Sequence, residues 1–172
     1  STASRGVVAF RTRGWAPASR LFVVGDRSGW SIDDDVVHVT AAARRLGYEV
    51  APSEWAQHAR DQAVFLPSHF SALTPRWLAS SHRLGLAYFH GRPGTEGYPE
   101  FDMAYAALRA HAARIARVQV THDEMHELVL AAGIAADSVF KIPIGIDLEH
   151  FPYAEAVARD LFVVGSFVKD GV

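Results

Sequence analysis

Short apolar segments alternate with helix-like segments along most of the chain, and this alternation constrains the fold more than any other feature. Continuous apolar runs of about four to six residues are typical of strands that are buried on both faces of a parallel sheet. The predicted strands are Leu21–Val24, Tyr48–Ala51, Ala63–Leu66, Leu84–Phe89, Val118–Val120 and Val139–Ile142. Six such strands with helices between them predict an α/β fold with a doubly wound, mostly parallel, Rossmann-like sheet.

The helical segments are recognised by their period and by their end signals. In residues 100–116, apolar side chains recur in steps of three and four, which predicts one amphipathic helix. A helix is also predicted after Ser31, because three aspartates occupy its first turn and Gly47 ends it. Shorter helices are predicted at Ser53–Asp61, at Pro75–Ser80 with Thr74 as the N-cap, and from Thr121, with Glu124 completing a capping box, to Gly133.

Composition excludes several classes of function. The net charge is −2 and no block of like charge occurs, which argues against a nucleic-acid-binding protein. The 172 residues contain no cysteine, so disulfides, thiolate chemistry and cysteine-bound zinc are excluded. No apolar run approaches the roughly 18 residues that span a bilayer, so a cytoplasmic protein is expected, with no indication of peripheral membrane contact. Arginine greatly exceeds lysine, which suggests a bacterial source.

A domain boundary is predicted near Val139–Phe151, where an apolar strand is broken by Pro143 and Gly145. The pentapeptide Leu-Phe-Val-Val-Gly occurs at Leu21–Gly25 and again at Leu161–Gly165, in each case where a first strand would enter a glycine turn. The sequence therefore predicts a leader or edge strand in residues 1–20 and one domain in residues 21–151. Residues 152–172 are predicted to form a hinge and the first strand of a second domain.

Candidate ligand loops follow the strands, because ligands of open parallel sheets bind beyond the carboxyl ends of the strands. These loops are residues 25–32, 67–74 and 90–99 and those after Ile142. The loop from Gly25 to Gly29 has neither the P-loop spacing nor the dinucleotide-binding spacing. It is either an ordinary strand-to-helix turn or a bend that brings backbone N–H groups to a polar ligand. Trp30 falls in the same loop.

His90 is the main candidate for chemistry. It follows a predicted strand and precedes Gly91, and an imidazole can donate or accept a proton near neutral pH. A structural histidine fits the same position. Arg92 could pair with an anionic group or face water.

Two groups of residues could hold a metal but have simpler explanations. His122 and His126 are four residues apart, but the acidic residues between them depart from the metalloprotease pattern and are explained by the capping box. The aspartates at 33–35 are explained by the positive end of the helix dipole. No metal site is predicted.

From Val118-Gln-Val-Thr through Leu128, Ala132-Gly-Ile and Lys141-Ile-Pro-Ile-Gly-Ile-Asp-Leu-Glu-His-Phe151, the sequence resembles the end of the N-terminal domain of GT-B glycosyltransferases. It is most similar to the retaining group that includes sucrose synthases, glycogen synthases and bacterial mannosyltransferases. In that family the last segment reads Ile-Pro-Asn-Gly-Val-Asp, so Ile144 departs from the pattern. The resemblance covers roughly residues 21–172.

The resemblance implies one half of a GT-B architecture, in which two Rossmann-like domains enclose a cleft. The reaction would transfer a sugar, with retention, from a nucleotide-diphosphate donor to a hydroxyl of an acceptor sugar, lipid or small molecule. No cofactor or metal would be required, and this segment alone would be inactive. The family implies a catalytic role for His90, and the expected substrate-binding residues are Gly29, Trp30, Ser68, His69, Arg92 and, for the donor diphosphate, Lys169.

Two alternative functions fit the same sequence features. A GT-B-like sugar-nucleotide epimerase would share the two-domain build but would need no acceptor. A non-catalytic Rossmann-like ligand-binding domain would instead predict that the natural gene ends near Val172.

Overall fold

The computed structural model describes residues 20–26, 29, 31–143 and 145, and it confirms the predicted α/β fold with a Rossmann-like sheet. Within these residues, six strands form one sheet in the order β2-β1-β3-β4-β5-β6. All neighbouring strands run parallel. The strands are β1 (Leu21–Val23), β2 (Val50–Ala51), β3 (Ala63–Leu66), β4 (Arg83–Tyr88), β5 (Ile115–Val120) and β6 (Val139–Lys141).

Helices connect the strands, as the right-handed crossovers of a parallel sheet require. They are α1 (Ser31–Arg45), α2 (His69–Ala72), α3 (Pro75–Leu78), α4 (Pro99–Ala110) and α5 (Asp123–Ala131). Short 3₁₀ turns occupy Ser53–Trp55, Ala112–Arg114 and Ala136–Ser138.

The core is centred on β4. Leu84, Leu86 and Tyr88 are fully buried in this strand, and Leu66 is fully buried in the neighbouring β3. Side chains on both faces of β4 are covered, which explains why its sequence is a continuous apolar run and not an alternating one. The apolar runs of β3 and β4 therefore form the centre of the core.

The order of the strands creates one switch point. β1 pairs with β2 on one side and with β3 on the other, so the chain changes direction across the sheet after β2. Loops that leave the carboxyl ends of the strands on either side of such a point diverge and leave a crevice. In this sheet, the switch point lies beyond Val23 and Leu66.

Several predicted helices differ from the structure. The helix predicted over 100–116 ends at Ala110, because Ile115 pairs with Leu84 of β4 and begins β5. Thr121 does not cap α5, whose N-cap is His122. At the end of α4, the pairing of Ile115 with Leu84 therefore overrides the local helical pattern.

Two further differences concern short segments. The helix predicted over Ser53–Asp61 is reduced to a 3₁₀ turn at Ser53–Trp55. The predicted loop 67–74 contains the short helix α2. Thr74 is the N-cap of α3, and Pro75 follows it at the first helical position, both as predicted.

The domain predictions for residues 1–20 and 152–172 lie outside the described residues, apart from Arg20. No helix in the described part of the chain is long and apolar enough to cross a membrane.

Close packing between the end of β1 and α1 depends on Gly25. A Cβ atom at this position would lie 2.9 Å from Val36 Cγ2 and 3.0 Å from Asp33 Oδ1. These distances are shorter than van der Waals contact allows, so a side chain at position 25 fits only if the Val36 and Asp33 side chains, or α1 itself, move. The glycine that ends the first predicted strand therefore sets the approach of the first helix to the sheet.

We expect Gly25→Ala to lower the free energy of unfolding by about 1–3 kcal/mol, because the Val36 and Asp33 side chains of α1 must move to admit the methyl group. Gly145→Ala is the matched control, since a Cβ at Gly145 meets no atom of the described residues within 4 Å. Chemical denaturation of both variants tests this expectation. Equal stability of the two variants would contradict it.

Candidate functional site

Two histidines meet at the carboxyl edge of the sheet. His69 begins α2, three residues after β3, and His90 follows β4 by two residues. Their ring centroids are 5.4 Å apart in an edge-to-face arrangement. The parallel pairing of β3 with β4 brings both segments to the same edge, so residues 21 positions apart in sequence become neighbours.

His69 is buried and neutral. Only 2% of the residue is exposed, and its ring stacks on Tyr88 with a centroid distance of 4.2 Å. Burial lowers the pKa of His69 to about 3, helped by the nearby His90 and opposed by a hydrogen bond with the backbone of Ala87. Its Nε2 atom has no hydrogen-bond partner among the described residues. The bond to the Ala87 carbonyl therefore uses Nδ1–H, which leaves the lone pair on Nε2.

His90 is exposed, but aromatic rings partly surround it. Its ring lies edge-on to Phe70 at 5.7 Å and to Phe101 at 5.8 Å. This partial burial lowers the pKa of His90 below its ordinary value of 6.5. A neutral, accessible imidazole results, and it can both donate and accept a hydrogen bond at pH 7.

A layer of packed aromatic rings includes His69 and lies against His90. Tyr98 stacks on Phe101 at 5.0 Å with an interplanar angle of 8°, and Phe101 stacks on Phe70 at 5.9 Å. Phe70 in turn lies 3.9 Å from the His69 ring. We use "aromatic layer" for the rings of His69, Phe70, Tyr88, Tyr98 and Phe101. It extends from the buried sheet edge to Tyr98, which is 43% exposed at the start of α4.

The loop that carries His90 is tied to the core at several points. The buried Tyr88 hydroxyl donates to the Gly91 carbonyl at 3.1 Å. Burial raises the pKa of Tyr88 to about 12, so this donor keeps its proton. Further along, the N–H of Gly94 donates to Asp102 Oδ1 at 2.8 Å, and Thr95 Oγ1 donates to the Arg92 carbonyl at 2.7 Å. These bonds fix the backbone on either side of His90 relative to the sheet and α4.

The other predicted site residues lie in different settings. Gly29 is exposed in the left-handed region at φ 73°, and its N–H donates to Asp33 Oδ2 at 2.8 Å. Ser68 is buried as the N-cap of α2, and its carbonyl accepts from Ser71 Oγ. Trp30 and Lys169 lie outside the described residues.

Arg92 faces α5 on the surface. Its Nη1 lies 3.5 Å from Glu124 Oε1, and both side chains are largely exposed. An ion pair of this kind contributes little to stability. Arg92 is therefore close to His90 in the sequence, but its side chain forms an ion pair with Glu124 of α5.

The residues around His122 and His126 form a charged surface. Asp123 Oδ1 lies 2.5 Å from Lys141 Nζ, and this contact lowers the pKa of Asp123. Within the described ranges, no group of three or more histidine, aspartate or glutamate side chains is placed to hold a metal ion.

Sequence reasoning brought His69 and His90 into one candidate site but did not find the aromatic layer. The sequence pattern indicates for Phe101 only that it lies within the amphipathic segment 100–116, and it gives no individual signal for Tyr98 or Phe70. The available signal was the density of aromatic residues in the loops that follow β3 and β4. A one-dimensional pattern does not show that these rings share one surface.

No protein-family model matches the chain, and no curated protein matches it.

We expect the stability of the protein to fall as the pH is lowered, because His69 is neutral when folded and protonates freely when unfolded. Its folded pKa is about 3 and its unfolded pKa is about 6.5, so stability is lost as the pH falls between these values. The loss from His69 between pH 7 and pH 5 should be about 2 kcal/mol. Denaturant unfolding at both pH values measures it.

His69→Gln supplies the control for this pH dependence, because glutamine keeps a donor but does not titrate. The difference in unfolding free energy between pH 7 and pH 5 should shrink in this variant. An unchanged difference would show that His69 is not the titrating group.

Gly91, in the loop after β4, packs against His69 and Phe101. Its φ is 101°, and a Cβ there would lie 3.2 Å from Phe101 Cδ1 and 3.3 Å from His69 Nε2. Gly94 has a similar φ of 80°, but a Cβ there meets nothing within 4 Å. Alanine substitutions at the two glycines can therefore be compared to separate the effect of backbone strain from that of side-chain crowding.

We expect Gly91→Ala to destabilise the protein by about 1 kcal/mol more than Gly94→Ala. Both substitutions introduce backbone strain, because alanine is disfavoured in the left-handed region, but only Gly91→Ala also crowds the aromatic layer. Urea unfolding gives the difference. In NMR spectra, the His69 ring signals should shift in Gly91→Ala and stay in place in Gly94→Ala. Equal destabilisation with unmoved His69 signals would refute the crowding.

Proposed function

We propose that this domain is the acceptor-side half of a retaining glycosyltransferase. The observation that supports it best is the exposed, neutral His90, held beside the buried His69 at the carboxyl edge of the sheet and next to the switch point. Ligand sites of doubly wound sheets lie at this edge. The resemblance of residues 118–151 to GT-B enzymes independently favours the same edge.

The chemistry of the edge suits a sugar. A neutral imidazole can donate to one hydroxyl and accept from another, as recognition of a polyol requires. Aromatic faces such as that of Tyr98 suit the apolar face of a sugar ring, in keeping with sites that combine apolar walls with a few polar groups. A charged site would be expected for a phosphate-rich ligand, and His69 and His90 carry no charge at pH 7.

The proposed reaction breaks the bond between the anomeric carbon and the diphosphate oxygen. It forms a bond from the same carbon to the acceptor oxygen, and the acceptor hydroxyl gives its proton to the departing diphosphate oxygen. His90 would hold the transferring sugar or the acceptor by hydrogen bonds. Stabilisation of the departing diphosphate, usually a large contribution, would come from a second domain.

The test uses the full-length protein with panels of nucleotide-sugar donors and sugar acceptors. His90→Ala should lower kcat by about tenfold or more, the usual effect of losing a positioned polar or acid–base group. His111→Ala is the matched control, because His111 is exposed at the C-cap of α4, near the start of β5 and away from the site. It should keep full activity.

Two outcomes would contradict the proposal. Full activity of His90→Ala would remove the role of His90. Conversion of the donor to an epimeric sugar in the absence of any acceptor, seen by product analysis, would identify an epimerase in place of a transferase.

A further inference from the structure

A second cleft lies at the opposite edge of the sheet from the histidine pair. It has a volume of about 530 Å³ and is lined by the turn before β3 and by α3 with the turn before β4. β4 has six residues, so its two ends are separated by about 17 Å. We call this space the amino-edge cleft, and its polar lining residues include Gln57, Arg60, Asp61, Arg76, Ser80 and Ser81.

The cleft presents two guanidinium groups. Arg76 packs its guanidinium 5.1 Å from the centre of the Trp77 ring, and its Nη2 donates to Gln57 Oε1 at 2.8 Å. Arg60 is exposed, and its guanidinium has no hydrogen bond or ion pair with any described residue. The only acid among the lining residues is Asp61, so positive charge prevails.

Ser81 adds a hydroxyl donor. Its Oγ accepts a hydrogen bond from the backbone N–H of Asp61 at 3.1 Å. Because this bond uses the oxygen lone pair, the Ser81 O–H remains able to donate. Asp61, whose φ is 55°, places its N–H toward Ser81 from the left-handed region, which aspartate tolerates better than most residues.

The two walls of the cleft are braced against each other. His82 is buried, its Nδ1 accepts from the backbone N–H of Gln62 at 3.3 Å, and its Nε2 bonds to the Ala56 carbonyl at 2.9 Å. The Arg114 guanidinium donates to the carbonyls of Leu78, Ser80 and His82 and so fixes the second wall. The backbone segments that carry these donors are therefore held in fixed positions, which lowers the entropic cost of binding.

We propose that the amino-edge cleft binds an oxyanion group, phosphate or carboxylate, of a small molecule. The planar forks of Arg60 and Arg76 match the oxygens of either group in paired hydrogen bonds, and Ser81 supplies a further donor. This site is separate from the histidine pair and does not depend on the function proposed for it. A ligand here contacts the segments that lead into β3 and β4, the strands that carry His69 and His90 at their other ends.

The test titrates the full-length protein with inorganic phosphate and, separately, with malonate, at constant ionic strength and pH 7. NMR signals of residues 57–61 and 76–82 should shift saturably, with a Kd in the millimolar range, for one or both anions. Binding of phosphate alone identifies a phosphate site, and binding of malonate alone identifies a carboxylate site.

Arg60→Gln is the decisive variant, because the guanidinium of this exposed side chain has no hydrogen bond or ion pair with the described residues. It should weaken binding about tenfold, in line with the loss of a charged hydrogen bond, without a change in stability. Arg109→Gln removes an exposed arginine near the end of α4 and should bind as the unaltered protein does. Absence of saturable binding, or equal binding by Arg60→Gln and Arg109→Gln, would overturn the proposal.

Discussion

The pairing of β3 with β4 is the interaction on which the candidate site depends. Leu66 is in register with Leu86, so the chain leaves both strands at the same edge, and His69 and His90 follow within a few residues. Leu66, Leu84 and Leu86 are fully buried, and a slip by one residue would turn these side chains to the opposite faces. The burial that stabilises the sheet thus also fixes the distance between the two histidines.

The burial of His69 in the candidate site makes the folded protein less stable at acid pH. Burial holds His69 neutral, so its protonation is unfavourable in the folded protein, although its hydrogen bond to the Ala87 carbonyl opposes this effect. In return, the ring is fixed by stacking on Tyr88, and His90 packs against a surface that does not rearrange easily. Groups held on rigid elements and locked by packing are what a positioned polar contact requires.

The two ends of the central strands have opposite chemical character. The carboxyl edge carries neutral histidines and aromatic faces, which suit a hydroxyl-rich ligand. The amino edge carries Arg60 and Arg76 in a cleft braced by His82 and Arg114. The same strands therefore connect a site suited to an uncharged ligand group with one suited to an anion.

The sequence by itself determined the fold class, the positions of the six strands to within a few residues, and the edge of the sheet where His69 and His90 lie. It could do so because burial on both faces of a parallel strand leaves a continuous apolar run, and Gly and Pro mark the ends of such runs. Only the tertiary structure decided that α4 ends at Ala110, since Ile115 is captured by pairing with Leu84. Only the tertiary structure placed Phe70, Tyr98 and Phe101 in one layer and buried His69 deeply enough to lower its pKa to about 3. These features depend on contacts between segments that are distant in the chain, and a local pattern of residue types carries no record of which distant segment will lie beside it.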